Sequence, residues 1–380
     1  MLVEQPLPDH FRGFAAVAAR DGCTTYAAIC RGVADDGEVL SLLEGAPPSQ
    51  RRPLLLLAAV HSLLLRGADD PLAAFYDTVV TVRGTALSPS GDVAVAFAAF
   101  CRAHRPDLEL LIATRTTQTN EVGRCTALFP GLCHISTSYG ESEPLSLLDL
   151  GTSAGLNLLF DDYGYTYRAQ LGDAMRTAGP ACAGVALECE ARDDLTQLPD
   201  LRTPAMAERV GLDLSPLDPR DDDDALWLLA CQWPDNPARF GRLRAALANV
   251  RSVARPPRLE QGDMITDLPR VAATIGGDGP LVVFHSWVAA YLDEHEQHAL
   301  TVAVRALNRA RPVHHLYCET PFETPGLPTP PSPVPRDGPD LATALVHIGP
   351  HAEPVRLADT HPHGYWIRWW PPTARRRSPD

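Results

Sequence analysis

The sequence predicts an α/β fold in two parts. A helical N-terminal domain covers 1–143, and a Rossmann-like, mostly parallel sheet of seven strands with a terminal antiparallel pair covers 144–380. Three observations predict this. Before about Cys133, apolar residues recur at three- and four-residue steps and no alternating strand pattern stands out. From Leu145, short apolar runs each end in an acidic or small residue, and helix-length segments separate most of them. Two further strand-like runs close the chain with only a loop-like segment between them.

In the first part, "FAAVAARDGCTTYAAICRGVA" (14–34) and "GDVAVAFAAFCRAHRPDLELLIA" (91–113) carry the helical period. "PLLLLAAVHSLLL" (53–65) is too short to span a bilayer and contains His61, so it reads as a buried helix. The five strand-like runs are "LSLLDLG" (145–151), "RVGLDLS" (209–215), "PRLEQGD" (257–263), "PLVVFHS" (280–286) and "PVHHLYCE" (312–319). Segments 225–250 and 293–309 are long enough for helices between them. Five parallel strands plus "ATALVHI" (342–348) and "GYWIRWW" (364–370), paired antiparallel, give the count of seven. Two stretches interrupt the scheme. Residues 163–173 and 183–193 read as an inserted hairpin, about 163–193. Residues 319–340 are too proline-rich for the crossover helix expected there and read as an extended loop.

Composition excludes several chemistries. All 33 basic residues are arginine, so no lysine Schiff base, pyridoxal-phosphate anchor or Walker-type phosphate lysine exists. A net charge of −14 argues against nucleic acid as a partner. The nine cysteines form no CxxC pair, which argues against zinc ribbons and disulfide frameworks. With no basic and apolar leader in "MLVEQPLPDHFRGF", the expected setting is cytoplasmic and reducing, with no membrane partner.

Ligands of open α/β sheets bind at the carboxyl ends of the strands, so the residues just after each run are the candidates. Gly151, Ser153 and Gly155 follow the first. Small residues there suit either a backbone cradle for a ligand or close strand–helix packing, and both readings stand. Asp213 follows the second run, where a carboxylate can accept from ribose hydroxyls. Asp263 follows the third, where an acid can accept from an exocyclic adenine amine; a helix cap is the alternative for each. The glycines do not spell GxGxxG. Asp213 also lies much further from Gly151 than the roughly 20 residues of a dinucleotide site, which disfavours NAD.

The series "LLDLGTSAG", "VGLDLSP", "LEQGDMITDLP" and "LVVFHSWVAAYL" resembles the motifs of class I S-adenosylmethionine-dependent methyltransferases over about residues 144–371. "TQTNEVGRCTALFPGL" (117–132), "GTSAGLNLLFDDYGY", "GLDLSPLDP" and "THPHGYW" are similar to the hallmarks of a bacterial, mostly actinobacterial, domain-of-unknown-function family over nearly the whole chain. The resemblance implies a methyltransferase-type fold with S-adenosylmethionine as cofactor, held by Gly151, Ser153, Gly155, Asp213 and Asp263.

The remaining candidates surround that site. Gln118, Asn120, Glu121 and Arg124 precede the first strand, where Arg124 can grip a carboxylate; helix capping is the alternative. His285, after the fourth run, is placed to orient or deprotonate an acceptor, with Tyr291 at the same mouth, and Glu319 ends the fifth run. His361 and His363 lack a third ligand in view and read as a turn, so no metal is expected. The run 221–224 reads as a helix cap.

These readings lead to three functions. The first is a methyltransferase-like transferase acting on a small amine, hydroxyl or carboxyl compound, with specialised metabolism such as antibiotic biosynthesis as its setting. The second is the same fold reused for intramolecular amine displacement, closing a ring, with Arg124 holding the anionic leaving group or carboxylate. The third is a non-catalytic subunit whose helical part packs on another chain, making a homo- or hetero-oligomer.

Overall fold

A computed structural model describes residues 6–84, 88–139, 143–277, 279–334 and 342–370. The chain forms two compact units, Met1–Thr119 with Asp218–Arg244, and Asn120–Leu217 with Ala245–Asp380. The division therefore falls at 119/120 rather than 143/144, and a later segment returns to the first unit.

The first unit is helical. It contains α1 (Leu7–Arg20), α2 (Thr24–Val33), α3 (Gly37–Leu40), α4 (Pro53–Leu65), α5 (Asp77–Arg83), α6 (Val93–Ala103) and α7 (Arg105–Thr114). After α8 (Cys125–Tyr139), which opens the second unit, the chain returns for α9 (Asp222–Ala230) and the start of α10 (Pro237–Ser252). Each long periodic stretch is two helices. Gly22, at φ 81°, breaks the first, and Arg105-Pro106 restarts the second. α4 is apolar all round and is accordingly buried. Its one ring, His61, bridges the Ala230 carbonyl (3.0 Å) and the Thr78 hydroxyl (2.8 Å), and burial lowers its pKa to about 4. Asp221 accepts from the N–H groups of Asp223 and Asp224, which caps α9.

The second unit is built on one sheet. Its strands are β1 (Leu145–Leu150), β2 (Gly164–Ala169), β3 (Met175–Ala178), β4 (Ala186–Ala191), β5 (Met206–Asp213), β6 (Arg258–Gln261), β7 (Leu281–Ser286), β8 (Val313–Glu319), β9 (Thr343–Ile348), β10 (Pro354–Thr360) and β11 (Trp366–Trp369). They lie in the order β3-β2-β4-β11-β10-β9-β8-β7-β1-β5-β6. The five predicted runs are β1, β5, β6, β7 and β8. They pair in parallel, β6-β5-β1-β7-β8, which is the 3-2-1-4-5 order of a doubly wound sheet.

The rest of the sheet corrects the expectation of seven strands: the described residues form eleven. The segment read as a loop before the last strand contains β10, and β9 and β11 each pair antiparallel with it rather than with one another. The insertion is not a hairpin of 163–173 with 183–193. β2 pairs in parallel with β4, and the hairpin partner of β2 is β3. β11 then joins β4 in parallel, so insertion and main sheet are continuous. Residues 320–334 form turns without a helix. There Tyr317 Oη donates to the Pro328 carbonyl (2.9 Å), which fastens the proline-rich chain to β8.

Helices cover both faces. Leu268 and Val271 of α11 (Leu268–Ala272) and Leu300 and Val304 of α12 (Glu294–Ala306) share one core with Leu148, Val210, Val283 and Val313. α8 lies on the other face, where a Cβ on Gly131 would stand 3.1 Å from Leu316 of β8 and 3.4 Å from Leu345 of β9. Successive residues of β8 thus face opposite layers. All nine cysteines are free. Among the described residues, no helix is long and apolar enough to cross a membrane.

Candidate functional site

The topological switch of the parallel half lies between β1 and β7, where connections leave in opposite directions. The turn after β1 passes through positive φ at Gly151 (69°), Ser153 (55°) and Gly155 (72°). A Cβ on Gly151 would collide with Val288 Cγ2, and one on Gly155 would stand 2.8 Å from Leu259. The glycines therefore allow close packing. The backbone donors of this turn are also engaged. Gly151 N–H bonds the Leu212 carbonyl (2.8 Å), Ser153 N–H bonds Asp213 Oδ2 (2.8 Å), and Leu156 N–H bonds Asn120 Oδ1 (3.1 Å). The chain then enters a 3₁₀ segment, Leu156–Asp162, and not the α-helix expected there. A phosphate cradle does not fit this turn.

Side-chain donors behave differently. The Ser153 hydroxyl and the Trp287 indole N–H are both buried without a hydrogen-bond partner. Ser153 follows β1 and Trp287 follows β7, so the two flank the switch point. Trp287 itself is held at φ 57°, a left-handed conformation uncommon for a bulky residue. Arg124, also buried, donates to the Ser286 carbonyl (3.0 Å) and the Pro362 carbonyl (3.2 Å), with its guanidinium 5.8 Å from the Trp287 ring centroid.

Four separated motifs meet around this point. Asn120 and Glu121 cap backbone donors of Leu156 and Gly123. Gly123 and Gly364 face each other so closely that a Cβ on Gly364 would collide with the Gly123 carbonyl oxygen. Thr126 Oγ1 lies 2.9 Å from each of the carbonyls of Gly123 and Gly364. Cys125 donates to Asn157 Oδ1 (3.4 Å), and Asp161 is ion-paired with Arg209. Gln118 belongs to the first unit.

Asp149, an acid inside β1, was not singled out by sequence and belongs to this region. It is 3% exposed and accepts from the Thr152 hydroxyl (2.9 Å). Burial pushes its pKa up to about 8, with Asp213 adding to the rise while Thr152 and Arg124 oppose it. The signal was its position: one carboxylate in an otherwise apolar strand.

The other predicted residues part company. Asp213 accepts from the N–H groups of Ser153 and Ser215 (2.8 Å each) and stays half-buried. Asp263 accepts from Ile265 N–H (2.9 Å), Thr266 N–H (2.8 Å) and Thr266 Oγ1 (3.1 Å). Burial works to raise its pKa, and these bonds outweigh that and hold it low. All three bonds end on Oδ1, so Asp263 caps its own turn through one oxygen. His285 is 0% exposed, with Nδ1 2.7 Å from Glu319 Oε1 and Nε2 3.0 Å from His315 Nε2. Its ring lies fully buried on the face of β7 that also carries Leu281 and Val283, with both ring nitrogens engaged. Tyr291 is 68% exposed on the following 3₁₀ turn, so the two do not share a mouth. Glu319 is buried and also accepts from Val288 and Ala289 N–H (3.1 and 3.3 Å), which sets the loop that carries Trp287. In the turn before β11, His363 N–H donates to His361 Nδ1 (3.0 Å).

The bacterial family described as "Uncharacterized protein conserved in bacteria (DUF2332)" matches residues 8–369. The chain belongs to this family. No curated protein matches it. The DUF2332 match spans both units, so the helical part is common property of the family and not an appendage.

Proposed function

We propose that this chain is an enzyme that binds S-adenosylmethionine at the switch point between β1 and β7 and acts on a small molecule. One observation carries the reading: two buried, unpartnered donors, Ser153 Oγ and Trp287 Nε1, flank the switch point with the Arg124 cation beside Trp287. Buried donors ordinarily have partners, and a carboxylate is the natural acceptor for this set. Two parts of the fit are good. The amino-acid end of the cofactor suits Arg124, Ser153 and Trp287, and the second lone pairs of Asp213 suit ribose hydroxyls. At Asp263 the turn uses Oδ1 alone, which leaves Oδ2 to accept from an adenine amine. When bound, the cofactor supplies an electrophilic methyl group. The chain's own residues would then position the acceptor and exclude water, with Asp149 the buried acid available to hold a proton near the turn.

A second reading is favoured by Val288, whose side chain covers Gly151, and by the engaged backbone donors of the turn. Under it the fold performs displacement without methyl transfer, with Arg124, Ser153 and Trp287 receiving an anionic leaving group. Calorimetry with S-adenosylmethionine and S-adenosylhomocysteine separates the two. One-to-one binding that weakens at least tenfold in Arg124→Gln supports the first. No heat from either nucleoside, with an Arg124-dependent response to sulfate, sinks the first and supports the second.

A further inference from the structure

At the opposite end of β8 lies a cavity of about 330 Å³, lined by Arg305 in the last turn of α12, Asn308 just beyond it, His315 of β8, and Ile348, His351 and Glu353 around the β9–β10 turn. His315 is 2% exposed, and its Nδ1 has no hydrogen-bond partner. The proton positions follow from the network. Glu319 Oε1 already accepts two N–H groups, so His285 Nδ1 carries the proton it shares with that oxygen. In the neutral form of His285, Nε2 is then an acceptor, and His315 donates to it from Nε2. Burial lowers the His315 pKa well below its ordinary value and keeps the ring neutral. In that arrangement Nδ1 is a bare, buried acceptor on a ring that lines the cavity. Such a group is costly to fold unless something donates to it.

The rim adds charge of both signs. Among the described residues, the side chains of Arg305, His351 and Glu353 make no hydrogen bond or ion pair. We infer that this cavity binds a small zwitterion of amino-acid size, its carboxylate taken by Arg305, its ammonium by Glu353, with one N–H donated to His315 Nδ1. The volume suits a small molecule, at the lower end of ligand pockets. The inference does not rest on cofactor binding at the switch point, which lies at the carboxyl ends of the strands.

The test uses the full chain and a panel of free α-amino acids, each compared with its methyl ester and its N-acetyl form. At least one free amino acid raises Tm and gives calorimetric binding, and blocking either end weakens it tenfold or more. Arg305→Gln abolishes the preference over the ester, and Glu353→Gln the preference over the N-acetyl form. In the unsubstituted protein, nitrogen-15 spectra show the His315 Nδ1 signal moving on ligand addition, which reads the same contact without any substitution. S-adenosylhomocysteine does not displace the amino acid. The inference is overturned if no amino acid binds and the His315 signal stays put, since the cavity then holds water only. Binding indifferent to both substitutions, or displaced by S-adenosylhomocysteine, overturns it equally.

Discussion

The two ends of the central strands lack opposite things. At the carboxyl ends, Ser153 and Trp287 are donors without acceptors; near the amino end of β8, His315 Nδ1 is an acceptor without a donor. Both deficits reside in side chains. A missing partner is more informative than a cleft's size, because its polarity states what must arrive: an anion at one end, an amine or hydroxyl at the other. A chain of hydrogen bonds, His315 to His285 to Glu319 to the backbone of Val288 and Ala289, joins the two regions along one face of the sheet.

The largest expected effect breaks the comparison at Asp149. Its folded pKa is raised to about 8 from an ordinary 3.8. Below pH 4 both states are protonated and the group is neutral to stability. Above that the unfolded chain releases the proton while the folded chain keeps it, so stability falls as pH rises toward 8, on the order of 5 kcal/mol in all. Asp149→Asn removes this slope, and urea unfolding at pH 5 and pH 8 reads it. Equal slopes in both proteins would show that Asp149 is not held protonated.

A smaller effect tests whether the glycine turn is packing. Gly151→Ala adds a side chain at φ 69° and against Val288, with an expected loss of about 3 kcal/mol. Adding Val288→Ala removes both methyls but keeps the Cβ, which the new side chain would still meet at 2.8 Å, so it should return only part of the loss. A double-mutant cycle with no coupling would remove Val288 from the account. Smaller still, Ser153→Gly relieves a left-handed serine with an unpaired hydroxyl and should stabilise by about 1 kcal/mol, read in the denaturation midpoint. The same change weakens any anion bound at the switch point, so a stabler protein with poorer binding sharpens the contrast between the ends.

The parallel half of the sheet was legible because strands buried on both faces read as apolar runs. β10 was not, since "PVRLADT" carries a proline, an arginine and an aspartate. Arg356 and Asp359 are buried as a pair, and Ser332 donates to Asp359 (2.6 Å), so polar residues hide a core strand. The partners of β2 and β11 were hidden because pairing is non-local: Glu190 meets Trp366. At the site, strand-end positions pointed to Ser153 and Asp213, and the motif before the first strand pointed to Arg124. Their states depended on contacts that no spacing encodes. His315 escaped because "HH" within a strand sends one ring to each face, and only the register with β7 brings one of them to His285.

Among the described residues, β11 is the only strand that joins β4 to β10 and the last strand in chain order. During synthesis β2, β3 and β4 emerge early, yet their inner edge has no partner until Trp366–Trp369 leaves the ribosome. Through that interval β4 offers unpaired backbone groups, a hazard that open strand edges carry. The order of translation, and not only the final contacts, thus makes a chain stopped before Trp366 the form most prone to self-association.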